Sequence, residues 1–166
     1  MIIGHGDVAS VLTDRKDLIF FASGVSNSKE KRGSEYQREV DLLLAQDRSK
    51  HLVYFGSLCI FYSKSQYAKH KKLMEELVKK NFSLYTIIRM GNITWGKNRH
   101  TLINHLSIQA KKGKDLTIKD TYRYLIDKDE FLHWIDMIPK FSCEMNLTGK
   151  RLKVKEIVNQ YVWSKQ

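Results

Sequence analysis

Short apolar runs take turns along the chain with amphipathic segments of helical period, and this alternation restricts the available folds more than any other feature. "MII", "DLIFFA", "HLVYFGS" and "FSLYTIIRM" read as strands. "SEYQREVDLLLAQ", "SQYAKHKKLMEELVKKN" and the stretch from Thr101 to Gly113 read as helices, because their apolar residues recur three and four positions apart. Tyr36, Val40, Leu43 and Leu44, for example, share one face. Strands separated by helices of about 10 to 15 residues need crossover connections, and those give a parallel sheet covered by helices. The expected fold class is therefore α/β. "GHGDVASVL" reads as a glycine turn opening one further helix. Towards the C-terminus "LTIKDTYRYLI" alternates like a strand or two, "KDEFLHWIDMI" is helical, "FSCEMNL" is extended and "KVKEIVNQYVW" is a closing helix. With neither a repeat nor a linker, residues 1–166 form a single expected domain, and those from about 115 onward a small C-terminal elaboration.

Composition narrows the classes of function. The chain is 42% hydrophobic and 28% charged with one proline, which describes a globular protein and not a low-complexity one. No apolar run approaches the roughly 18 residues of a membrane span, and "MIIGHGDVAS" lacks the basic flank and apolar core of a signal peptide. No membrane partner is expected, and a cytoplasmic location is. Cys59 and Cys143 make neither a disulfide framework nor a metal spacing. The six histidines contain no i, i+4 pair, so no metal is expected. A net charge of +11 raises the question of a polyanionic partner. The lysines, however, lie in scattered clusters ("KHKK", "KKGK", "KRLKVK") with no recognition motif, and nucleic acid is not the expected ligand. Trp95, Trp134 and Trp163 read as core or pocket walls and not as a base-stacking platform.

Two stretches could carry chemistry. "GHGDVA", Gly4 to Ala9, follows a strand and precedes a helical pattern. A G-x-G-x-x-A turn there either brings backbone N–H groups and a helix N-terminus against a pyrophosphate or is an ordinary strand-to-helix turn. The acidic residue expected about 20 positions on, to hold an adenosine ribose, is not evident near Ser26.

The second stretch is the helix from Ser65 to Lys80, whose inward face carries Tyr67, His70, Lys71, Met74, Leu77 and Val78. An unpaired ammonium on that face is costly. A functional explanation is that Lys71 holds a cofactor ribose and lowers the pKa of the Tyr67 hydroxyl, with Ser57 bonded to the same substrate oxygen. The bland reading is a lysine snorkelling from a partly buried stripe. Y-x-x-x-K occurs three times, at Tyr67/Lys71, Tyr124/Lys128 and Tyr161/Lys165, but only the first lies on a helix after a strand ending in serine.

With these segments in this order the chain resembles the extended short-chain dehydrogenase/reductase superfamily, the NAD-dependent epimerase/dehydratase group that acts on nucleotide sugars. "MIIGHGDVA" resembles its glycine-rich start, "LIFFASGVSNS" the strand and loop beside the nicotinamide, and "YFGS" with "YAKHK" the serine strand and Y-x-x-x-K helix. "IIRMGNITWG" is similar to its R-x-x-N-x-x-G segment, "YRYLIDKDEF" to the arginine, strand and acidic pair before a late helix, and "MNLTGKRLKVKEIV" to its final turn and helix. The resemblance implies a Rossmann-like parallel sheet with flanking helices, truncated relative to the family, and NAD or NADP as cofactor. It implies Ser57, Tyr67 and Lys71 as catalytic residues and Gly4, Gly6, Ala9, Ser23, Gly24 and Lys71 as cofactor-binding residues. Asn92 and Arg123 would bind the substrate diphosphate. Its further implications are a nucleotide-sugar substrate, a role in surface-polysaccharide biosynthesis and a homodimer.

The chain also departs from that pattern. Roughly two strand-helix units that the family places between the glycine turn and the nicotinamide-side strand are replaced by about a dozen residues. "LIFFASG" is then either that later strand, with the adenosine-cradling part of the sheet missing, or the second strand of a dinucleotide fold. The loop from Ser57 to Tyr67 is short, and Met90 and Lys97 stand where prolines are common. A catalytically inactive relative, acting as a nucleotide-binding or regulatory module, is the alternative function.

Overall fold

Each apolar run becomes a strand whose alternate side chains feed two different cores. In a computed structural model that describes residues 1–113, 116, 118 and 120–163, the strands are β1 (Ile2–Ile3), β2 (Leu18–Phe21), β3 (His51–Ser57), β4 (Tyr85–Met90), β5 (Asn92–Ile93), β6 (Tyr122–Ile126), β7 (Cys143–Leu147) and β8 (Lys150–Lys153). The main sheet has the order β1-β2-β3-β4-β7 and is parallel throughout. One face carries Phe20, Val53, Phe55 and Ile88, the other Ile19, Phe21, Leu52, Tyr54 and Ile87. This is the period-two separation of a strand buried on both sides.

Helices α1 (Gly33–Leu44) and α2 (Gln66–Asn81) cover the second face through Leu43, Met74 and Val78. The first face packs on Phe131 and Ile135 of a helix that follows α3 (Leu102–Lys111), namely α4 (Lys128–Asp136). A smaller sheet, β5-β6-β8, pairs β5 with β6 in parallel and β8 with β6 antiparallel. Onto it pack α3 and the closing helix, α5 (Val154–Ile157), which widens into a π-helical turn over Val158–Trp163. The alternating stretch before Tyr122 lies partly outside the described residues, as does Lys165.

Strand order decides what "LIFFASG" is. A second strand of a dinucleotide fold would lie on one side of β1 with later strands on the other, reversing the order there. Here β2, β3, β4 and β7 all follow on one side, and β1 is an edge strand among the described residues. The strand is therefore the later one, and the adenosine-side half of the sheet is absent from the described chain.

One expectation is corrected. No α-helix follows the glycine turn: Ala9–Val11 make a single 3-10 turn, and Leu12 is already extended. The connection from Ile3 to Leu18 is instead made of the glycine turn, this single 3-10 turn and an extended return that starts at Leu12. Gly4 sits in this turn at φ +119°, where a Cβ would lie 2.5 Å from the carbonyl oxygen of Ala22. Close passage of two chain segments is what requires glycine there.

Candidate active site

Parallel α/β sheets bind ligands beyond the carboxyl ends of their strands, and a cavity of about 930 Å³ opens there. Ser57 closes β3. Its Oγ accepts a hydrogen bond from the Cys59 amide at 3.3 Å and starts the 3-10 turn Leu58–Phe61. Ser65 then caps α2 by accepting from the Ala68 amide at 3.2 Å, which aims Tyr67 and Lys71 into the cavity from its first two turns. Ser23 and Gly24 enter from the loop after β2, Asn92 from β5 and Arg123 from β6. The cavity thus brings together Ser57, Tyr67, Lys71, Ser23, Gly24, Gly6, Asn92 and Arg123. Gly4 and Ala9 stand behind its wall: Gly4 passes the backbone of Ala22, and Ala9 is buried. Asn92 donates through Nδ2 to the Tyr124 carbonyl at 3.1 Å, and Arg123 donates to the Tyr122 carbonyl at 2.8 Å.

The lysine has a protein partner. Lys71, only 2% exposed, donates from Nζ to Glu39 Oε1 at 2.9 Å and to Tyr54 Oη at 3.2 Å. Glu39 is wholly buried and also accepts from Tyr54 Oη (3.0 Å), the Val25 amide (2.7 Å) and His70 Nε2 (3.0 Å). Burial alone would raise the Glu39 pKa, but the Lys71 charge and the bonds from His70, Val25 and Lys71 outweigh it and hold the carboxyl at about 2. Burial likewise disfavours the Lys71 charge, yet Glu39 keeps the ammonium pKa well above its ordinary value. Gly24 lies against this pair, where a Cβ would come 2.7 Å from Lys71 Nζ.

Tyr67 differs from the sequence expectation. Burial pushes its pKa up, and the Lys71 charge and the Ser57 hydroxyl oppose that shift without cancelling it. Lys71 Nζ lies over the tyrosine ring, 5.7 Å from the centroid. Glu39, Tyr54 and His70 were not among the sequence candidates, though Glu39 falls on the stripe of Tyr36, Val40 and Leu43.

At the ends of β2 and β3 the donor set fits a nucleotide: the hydroxyls of Ser23 and Ser57 and the ammonium of Lys71 line the cavity, Gly24 making room for the Lys71–Glu39 pair. On the side of β1 it does not. The turn offers no α-helix N-terminus, and the Asp7 carboxylate accepts from the Lys97 and Asn98 amides at 2.9 Å each.

A one-sided parallel sheet with Ser57, Tyr67 and Lys71 at its carboxyl edge decides the architecture. The fold is similar to that of epimerases solved with NAD bound. No protein-family model and no curated protein matches the chain in sequence. Among solved structures, WbmG of Bordetella bronchiseptica in complex with NAD and UDP matches with a TM-score of 0.64 at 15% identity, over 86% of this chain and 55% of that one. UDP-glucuronic acid 4-epimerase of Bacillus cereus, bound to NAD and a fluorinated UDP-sugar, matches with a TM-score of 0.66 at 14% identity, over 86% and 57%. The capsular polysaccharide assembling protein CapF of Staphylococcus aureus matches with a TM-score of 0.57 at 16% identity, over 90% and 45%. The chain thus spans about half the length of these solved structures. No helix among the described residues is long and apolar enough to cross a membrane.

Proposed function

We propose that the protein is an oxidoreductase of nucleotide-sugar chemistry, acting at an alcohol or ketone carbon with NAD or NADP as partner. The observation that carries this reading is the convergence of Ser57, Tyr67, Lys71, Asn92 and Arg123 on one cavity from separate elements. The nicotinamide would supply or accept the hydride. Ser57 and Tyr67 hydrogen-bond the reacting oxygen, and Tyr67 Oη exchanges its proton. Because burial keeps Tyr67 protonated at neutral pH, ketone reduction is the direction that needs no prior deprotonation. Lys71 places a positive charge over the tyrosine ring, and Asn92 and Arg123 hold the substrate's diphosphate. The likeness to CapF supports a place in surface-polysaccharide assembly.

Glu39 favours a second reading. A lysine already held by a buried carboxylate and a phenol has less to offer a ribose, which is what a non-catalytic nucleotide-binding module would show. Titration with NADH and NADPH, followed by turnover with nucleotide keto-sugars, separates the two. Loss of turnover in Tyr67→Phe with binding intact supports the enzyme. Binding by the wild type with no turnover on any keto-sugar supports the module.

A further inference from the structure

The small sheet leaves part of one face to solvent. In the antiparallel β6–β8 ladder Tyr122 pairs with Lys153, Arg123 with Leu152 and Tyr124 with Arg151. Paired residues share a face. Leu125 and Leu152 therefore point one way, onto Ile103 of α3 and Ile157 of α5, and Tyr122, Tyr124, Arg151 and Lys153 point the other. On this second face Tyr122 is 44% exposed, and Arg151 is exposed beside it.

Arg151 is held in place without being used. Its guanidinium carbon lies 3.7 Å from the centroid of the Tyr122 ring, in stacking contact, and Lys153 Nζ lies 5.7 Å from the same centroid. Lys153 is paired with Asp120 at 3.0 Å. The Arg151 side chain has no hydrogen bond or ion pair among the described residues, which leaves its five N–H donors free. Arg123 bonds the neutral oxygens of Thr121 and Tyr122, and so adds a second charge with no acidic partner among the described residues. The exposed ring of Tyr62 interacts electrostatically with both Arg123 and Tyr124.

Positive charge is thus interleaved with flat aromatic surface. Charge complementarity calls for an anion, and the stacked guanidinium narrows which one. Its outer plane extends the Tyr122 stack, and a nucleobase lies flat on such a plane, whereas a saccharide ring has no π-face to offer. A duplex keeps its bases stacked on one another, so a single strand is the form that presents phosphate and free base together.

We infer that this face binds single-stranded nucleic acid, with phosphate on the free Arg151 donors and a base stacked over its guanidinium. The inference stands apart from the proposed function of the cavity. Fluorescence anisotropy of a labelled oligothymidylate single strand, titrated with the full chain, tests it. At about 50 mM salt a dissociation constant of about 100 µM or tighter is expected, with log K falling against log salt at a slope near about −1.4, as for two phosphates. A duplex of the same length should bind at least about fivefold more weakly, although its denser charge alone would favour it. Arg151→Ala should weaken the single strand at least about fivefold. Arg151→Lys, which keeps the charge and loses the plane, should weaken it at least about threefold with the salt slope unchanged. Both variants should melt like the wild type, because this side chain is exposed and unbonded. Absence of binding at low salt, equal affinity for the duplex or for polygalacturonate, or unchanged binding to Arg151→Ala overturns the inference. Displacement of the strand by millimolar UDP, which would place it in the cavity, overturns it equally.

Discussion

Replacing Glu39 with glutamine is the most revealing single change, because it keeps shape and removes one charge from a buried pair. Lys71 is then left as an ammonium in the core with neutral partners. Removing one member of a buried ion pair costs about 3–5 kcal/mol. For a chain of this size that corresponds to ~6–20 °C in Tm. The wild-type pH dependence gives a second, independent figure. A carboxyl held at about 2 in place of 4.5 contributes on the order of 3 kcal/mol. The folded-state pKa is depressed, so this stability is complete above the unfolded value and is lost as pH falls towards about 2. By pH 3 about 2 kcal/mol of it has gone. Urea unfolding at pH 6, 4 and 3 measures both. Glu39→Gln should unfold at much lower urea at pH 6, and the gap to wild type should narrow towards pH 3. Pairing Glu39→Leu with Lys71→Met should recover most of the loss, since an apolar pair leaves no buried charge. A Glu39→Gln protein within about 1 kcal/mol of wild type at pH 6, or a gap that does not narrow with acid, refutes the electrostatic account.

The Tyr67 phenol gives a kinetic expectation: alcohol oxidation, which needs the phenolate, should still be accelerating with pH at 9, and a plateau near neutrality would contradict the raised pKa. Gly4→Ala places a Cβ 2.5 Å from the Ala22 carbonyl oxygen at φ +119°; a loss of ~1–3 kcal/mol is expected by urea titration, and an unchanged midpoint would mean that the turn relaxes freely. Arg89, clamped on Glu75 through Nε at 3.0 Å and Nη2 at 2.7 Å and also bonded to Glu144, should cost about 3–5 kcal/mol as Arg89→Met. Thermal melts check it, and restoration by Glu75→Leu in the same chain is the companion result.

The parallel sheet was readable because "LIFF", "HLVYFGS" and "YTIIRM" alternate between two buried faces and therefore tolerate no other period. Tyr67, Ser57, Asn92 and Arg123 could be picked out, but whether they meet is a property of the crossovers, which no single segment encodes. The helix expected after Gly6 did not form: "DVASV" is helix-compatible, yet it makes one 3-10 turn and the chain is extended from Leu12 on its way to Leu18. Strand β8 was missed because "KRLK" is charged, pairing only with β6 along an exposed edge. Glu39 was legible in principle. A glutamate on one inward stripe and a lysine on the next, on helices covering the same face of β3, are each unexplained alone and explain each other together. The three Y-x-x-x-K pairs show the limit of pattern: Tyr124 sits in β6 and Tyr161 in the π-helical turn, while Tyr67 faces a cavity.

The pairing of Glu39 with Lys71 also constrains how this sequence can drift. An acid–base pair and an apolar pair are both tenable at these positions, but every single-substitution path between them passes through an intermediate with one buried, unmatched polar group. Among related chains the two positions should therefore covary, each combination inherited as a unit.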